Sequence, residues 1–140
     1  MKPLLTVLLL FLGIRLMAAE FSISFHEASD EPRAGFVEHA YRTNQQVYVG
    51  PDSGITTAHI AKLAHFFSEG EHALGITFTA AGAQLNHAFT TRMLKQRIAI
   101  FINQRLVADP MVLAPSNDDC VISGPTKEEI DQLIAAFNNR

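Results

Sequence analysis

Six histidines, one cysteine and a handful of acidic residues are the side chains in this chain with reactive or metal-binding chemistry. Histidines point first to a metal. If residues 61–68 form a strand, a rise of about 3.3 Å per residue puts His59 about 20 Å from His65, too far to share an ion ligated at about 2 Å. His65 and His72 lie closer, because a β-hairpin turning at Glu69-Gly70 makes them diagonal neighbours. Two imidazoles without a third ligand make a poor site. The expectation is therefore solvated or locally hydrogen-bonded histidines, with no metal and no cofactor.

Cys120 has no flanking base and no redox motif around it, and its place beside an apolar strand suits a small hydrophobe. As the single cysteine it cannot form an internal disulfide; an intermolecular one is its alternative use in an exported chain. Asp118-Asp119, with Asp109 and Asn117 nearby, lacks the alternating oxygen ligands and turn glycine of a calcium loop, so it reads as a solvated turn. Ser123 is not in a G-x-S-x-G elbow, and neither a P-loop nor G-x-G-x-x-G occurs. No catalytic residue is assigned, and the chain is expected not to be an enzyme.

These side chains must be placed by short strands and two helices. FSISF (residues 21–25) alternates apolar and polar residues as a half-buried strand does. A polar stretch with Asp30, Glu31, Pro32 and Gly35 then reads as a loop holding at most a short helical turn. QVYVGPDSG is a second strand, stopped by Pro51 and Gly54, and Thr56 and Thr57 offer a helix cap. From residue 57 to 67 local propensity leans to helix, since Ile60, Leu63, Ala64 and Phe67 have helical spacing; a hairpin across Glu69-Gly70 is the alternative. Residues 80–94 are predicted to be a helix capped by Thr79, with Leu85, Ala88, Phe89 and Met93 on its apolar face.

RIAIFINQRLVA predicts a hairpin turning at Asn103-Gln104, with Phe101 opposite Leu106 and Ile100 opposite Val107. Its first strand carries Ile98, Ile100 and Ile102 on one face and Ala99 and Phe101 on the other, so it needs cover on both sides. CVISG is a last strand. In the helix that follows, Thr126 and Glu129 form a capping box, and Ile130, Leu133, Ile134 and Phe137 form an apolar stripe. The fold class is α+β: an antiparallel β-sheet with two main helices packed on one face.

At 140 residues the chain suits one domain. Lys2, an apolar run from Leu4 to Ile14, and Ala18-Ala19 form a secretory signal pattern, too short to span a bilayer comfortably. We expect residues 1–19 to be a signal peptide and residues 20–140 to be one exported domain, periplasmic or extracellular, with no membrane span. That domain has 9 Lys plus Arg against 14 Asp plus Glu, a formal charge of −5, which argues against nucleic acid or an anionic membrane surface as partner.

The order of these elements carries a family resemblance. Phe78-Thr79 ends a strand, Gly82-Ala83 lies near the start of a helix, and residues 98–103 are followed by 107–112. Ile122-Ser123-Gly124 and the Thr126–Glu129 helix start come next. Together they resemble the periplasmic head subdomain of the SecD and SecDF export proteins, most firmly over residues 55–137. The resemblance implies a short helical turn before Ile60 and strands over 61–68 and 72–79, against local propensity. It departs from the family at Asn103-Gln104, where an aspartate-glycine turn is usual, and at residues 116–119, where a glycine pair is usual. The family's membrane helices and proton-carrying acidic residue have no counterpart among residues 20–140, so proton-driven translocation is not carried over.

What the resemblance implies is a binding or accessory module that contacts extended polypeptide or an envelope protein. The candidate partner surface is Val107, Met111, Val112 and Leu113, where an edge would take up a peptide strand, limited by Pro110 and Pro115. The alternatives are a small secreted metal-dependent hydrolase whose site is assembled from His65, His72 and carboxylates, and a secreted inhibitor or structural subunit.

Overall fold

The computed structural model describes residues 21–140, so the expected signal peptide lies outside the described residues. In chain order the elements are β1 (Ile23–Ser29), β2 (Val37–Ala40), β3 (Gln46–Asp52), a 3-10 turn (Thr57–His59), β4 (Ile60–Ser68) and β5 (Glu71–Phe78). There follow α1 (Ala80–Arg92), β6 (Arg97–Ile102), β7 (Arg105–Ala108), β8 (Asp119–Ser123) and α2 (Lys127–Asn138). The class is α+β, and its antiparallel strands divide into a five-stranded sheet, β2-β3-β1-β6-β7, and a three-stranded sheet, β4-β5-β8.

The doubly apolar β6 finds cover on both faces. Ile98, Ile100 and Ile102 enter the main core, which lies between the two sheets and the helices and includes Phe25, Leu74, Ile76, Phe89 and Ile130. Ala99 and Phe101 enter a smaller core with Ala28, Tyr41, Val47 and Val49. The larger sheet curls around this second core. His39, on edge strand β2, meets the Phe101 ring of β6 at 5.4 Å between ring centroids, although β3 and β1 separate those strands in the sheet.

The β6–β7 hairpin turns at Asn103-Gln104, both at positive φ (49° and 68°), as a two-residue type I′ turn requires. Phe101 pairs with Leu106 as predicted, but Ile100 pairs with Ala108 rather than Val107. Val107 is the extra residue of a β-bulge, which the alternation pattern does not record.

A second bulge explains why residues 60–67 imitate a helix. Ile60 pairs with Phe78 and Lys62 with Thr77, leaving Ala61 as the extra residue. The bulge resets the alternation, so Ile60 and Leu63, three apart, both point into the core. Residues 57–67 are therefore a 3-10 turn and a strand, as the resemblance implied.

Three further boundaries differ from expectation. β2 lies within the polar stretch read as a loop; three of its four residues are exposed, so no apolar period marks it. β3 runs through Pro51 to Asp52 because Pro51 falls where the β1–β3 register shifts and needs no amide donor. On α1 the buried face is Gly82, Asn86, Phe89 and Met93, while Leu85 and Ala88 are exposed. The helix is turned this way because buried Asn86 donates to Ser116 Oγ and to the Asn117 carbonyl, at 2.6 and 3.1 Å, tying α1 to the loop before β8. Gly82 permits close approach: a Cβ there would stand 2.5 Å from the His59 carbonyl oxygen.

α2 is capped as the sequence dictates. Thr126 Oγ1 accepts from the Glu129 amide at 3.2 Å, and Glu129 Oε1 accepts from the Thr126 amide at 3.1 Å. Ile130, Leu133 and Phe137 are buried, with Ile134 packed beside them. Among the described residues, no helix is long and apolar enough to cross a membrane.

Candidate functional site

The four residues of the candidate partner surface separate into two pairs. Val107 and Val112 are in the main core, whereas Met111 is 45% and Leu113 80% exposed. Isolated bridges Leu94↔Val112 and Arg97↔Met111 fasten this segment to the end of α1 and the start of β6. They bring it alongside Leu94, itself partly exposed. The edge of β7 is closed at its bulge: Tyr41 donates its hydroxyl hydrogen to the Val107 carbonyl, and Gly124 approaches the same oxygen so closely that a Cβ would stand 2.6 Å away.

Two further surfaces escape the sequence reading. On the small sheet, pairing aligns Ala64, Gly75 and Val121 in one row and Phe66, Ala73 and Ser123 in the next, on the face opposite α2. Phe66 is 50% and Val121 61% exposed, and the Phe66 ring lies over Gly75. The adjacent Phe66-Phe67 pair was a sequence signal for this face, because one of two neighbouring strand residues must point outward. At the mouth of the curled sheet, a cavity of about 310 Å³ is lined by Ser24, His26, His39, Phe101 and Gln104. The edges of His26 and His39 meet the Phe101 ring, with centroids 5.1 and 5.4 Å away. His26 is held by Ser24 Oγ at 3.0 Å, and Asp52 stands 3.9 Å off.

His65 and His72 are diagonal neighbours across the β4–β5 hairpin, since His65 pairs with Leu74 and Phe67 with His72. His65 Nε2 and His72 Nδ1 are 2.7 Å apart and share a hydrogen bond. The Phe67 ring packs on His72 at 4.7 Å. α2 adds a residue that sequence spacing did not bring in: Asp131 Oδ1 stands 3.4 Å from His65 Nδ1, and its Oδ2 accepts from Lys127 at 2.8 Å. The Lys127 hydrogen bond holds the Asp131 carboxyl below the usual carboxylate range, and the same bond raises Lys127. His59 instead accepts from the Thr56 amide through Nδ1 at 3.0 Å, capping the 3-10 turn. Among the described residues, no three His, Cys, Asp or Glu side chains gather as a set that would hold a metal ion.

Cys120 lies partly buried on the core side of β8, paired with Ile76, and loss of solvent together with the neighbouring Asp119 pushes its thiol up to about 12. Such a thiol is protonated and inert at neutral pH. The acidic turn does not converge either. The Asp118 carbonyl accepts from the Phe78 amide at 2.8 Å, while Asp109 sits near Arg97, with burial pushing its carboxyl up against the pull of Arg97 and Arg42.

Against known proteins, the family model for the SecDF P1 head subdomain matches residues 34–138. Among solved structures, a SecDF in a super-membrane-facing form superposes with a TM-score of 0.66 at 18% identity, covering 89% of this chain and 19% of that one. A structure described as a membrane component SecDF that enhances protein export gives 0.67 at 19% identity, over 89% of this chain and 64% of that chain. SecDF from Thermus thermophilus, described as a translocon-associated membrane protein, gives 0.56 at 19% identity, over 88% of this chain and 20% of that one. This chain thus spans about a fifth of two of these proteins and under two thirds of the third. No curated protein matches it. At these identities the structural likeness establishes the fold, and the match over residues 34–138 establishes that the chain belongs to the SecDF P1 head subdomain family.

Proposed function

We propose that this domain is a non-enzymatic accessory module of protein export, exposed on the periplasmic side of the envelope, that contacts extended polypeptide or an envelope protein partner. The family match over residues 34–138 carries this reading. The exposed side chains of Met111 and Leu113, beside Leu94, supply the contact area. Prolines at 110 and 115 flank the segment and remove amide donors, and the bulged Val107 carbonyl is already occupied. Contact there runs through side chains rather than through a full added strand.

Site-specific photocrosslinking tests the proposal. With a photoreactive amino acid at Leu113, in cells accumulating an export substrate, crosslinks to that substrate or to one envelope protein are expected. Labelling at Leu113 no stronger than at Gln132, on the solvent side of α2, would refute it.

A further inference from the structure

We propose that His65 and His72 form a two-imidazole site for a late first-row divalent metal ion such as Zn²⁺, with Asp131 as the residue that positions His65. His65 Nε2 and His72 Nδ1 stand only 2.7 Å apart. One of those nitrogens carries a hydrogen and the other a lone pair. Asp131 biases which. Its carboxylate only accepts, and at 3.4 Å from His65 Nδ1, in ion-pair range rather than as a formed hydrogen bond, it favours the hydrogen on Nδ1 and the lone pair on Nε2. His72 Nδ1 is then the donor. A carboxylate behind an imidazole whose other nitrogen is free is the arrangement that orients histidine ligands on metals and makes them more basic.

Between these nitrogens there is only a shared hydrogen, and a metal ion can replace it. The His72 hydrogen moves from Nδ1 to Nε2, both imidazoles stay neutral, and no net proton is released. Two tetrahedral ligands at about 2.0–2.1 Å place their nitrogens about 3.3 Å apart, so the rings must separate by about 0.6 Å and tilt so that both lone pairs converge on the ion. Both rings are partly exposed, and His72 lines an open cavity with Arg42, Ser123 and Thr126. Imidazole nitrogen suits Zn²⁺, Cu²⁺ and Ni²⁺ rather than Ca²⁺ or Mg²⁺. With no third His, Cys, Asp or Glu ligand gathered among the described residues, water fills the remaining positions and the ion exchanges readily.

The test uses tag-free protein titrated with ZnCl₂, followed by calorimetry and by the histidine ring signals in NMR. One Zn²⁺ per chain is expected, shifting the ring signals of His65 and His72 and leaving those of His26, His39, His59 and His87 in place. His72→Ala should weaken uptake at least tenfold. Asp131→Asn should keep the one-to-one ratio and weaken binding about tenfold, the usual cost of losing a group that orients a ligand. Absence of saturable uptake, or uptake that leaves the His65 and His72 signals unmoved, overturns the proposal. The wild-type NMR result decides the matter even if His72→Ala folds poorly.

Discussion

Tyr41 and Val107 are joined by a hydrogen bond of 3.2 Å from the phenol hydroxyl to the carbonyl oxygen, between residues 66 apart in sequence. It satisfies the bulged carbonyl of β7 and ties the segment after β2 to the far edge of the curled sheet. Tyr41→Phe keeps the ring in the second core and removes only the donor. We expect a loss of about 1–2 kcal/mol, the usual cost of stranding one buried carbonyl, read as a lower urea midpoint with an unchanged slope. A loss below about 0.3 kcal/mol would mean that water replaces the hydroxyl and the bond does not hold the curl.

Gln104 stands in the left-handed region at φ 68°, where a Cβ is strained and glycine is not. Gln104→Gly should therefore stabilise the hairpin by about 0.5–1 kcal/mol, the relief of left-handed strain exceeding glycine's extra unfolded-state entropy. Thermal denaturation checks it: a melting temperature that falls would show that the turn type is not limiting.

Gly75 and Gly82 are both crowded, but by different kinds of neighbour. A Cβ on Gly75 meets the ring of exposed Phe66, which can swing aside, whereas a Cβ on Gly82 meets the backbone carbonyl of His59, which cannot. Gly82→Ala is expected to cost about 1–3 kcal/mol despite its better helix propensity, and Gly75→Ala less than about 1. Equal losses in chemical denaturation would refute this distinction.

Cys120 gives an alkaline signature. Its thiol titrates near 9.0 in an unfolded chain and is pushed up to about 12 by burial, so the native state holds a proton that the unfolded state gives up. That contribution to stability is complete below pH 9.0 and is lost as pH rises towards about 12. Cys120→Ala should flatten the fall of stability over this range. Native protein at pH 8 should also react with a thiol reagent only slowly, at a rate that urea increases; fast labelling without urea would contradict the burial.

Several features of the fold were legible in the residues because they depend on local chemistry. The α2 capping box and stripe, the two-residue turn at Asn103-Gln104, and the need of β6 for cover on both faces follow from side-chain spacing and backbone preference. Other features were hidden because bulges and exposed edges erase the periodicities on which such readings depend. Ala61 resets the alternation of β4 and makes it imitate a helix, Val107 shifts the β7 register, and β2 has too little buried surface to announce itself.

From the sequence alone came the α+β class, the order of the elements other than β2 and their likeness to an export-protein head, since capping, turns and apolar faces act over a few residues. Only the tertiary structure divided the strands into two sheets, buried Val107 and Val112 while leaving Met111 and Leu113 at the surface, and brought Asp131 to the His65–His72 pair. Those outcomes depend on which distant segments share a core, and contacts between residues tens of positions apart have no local spacing that records them.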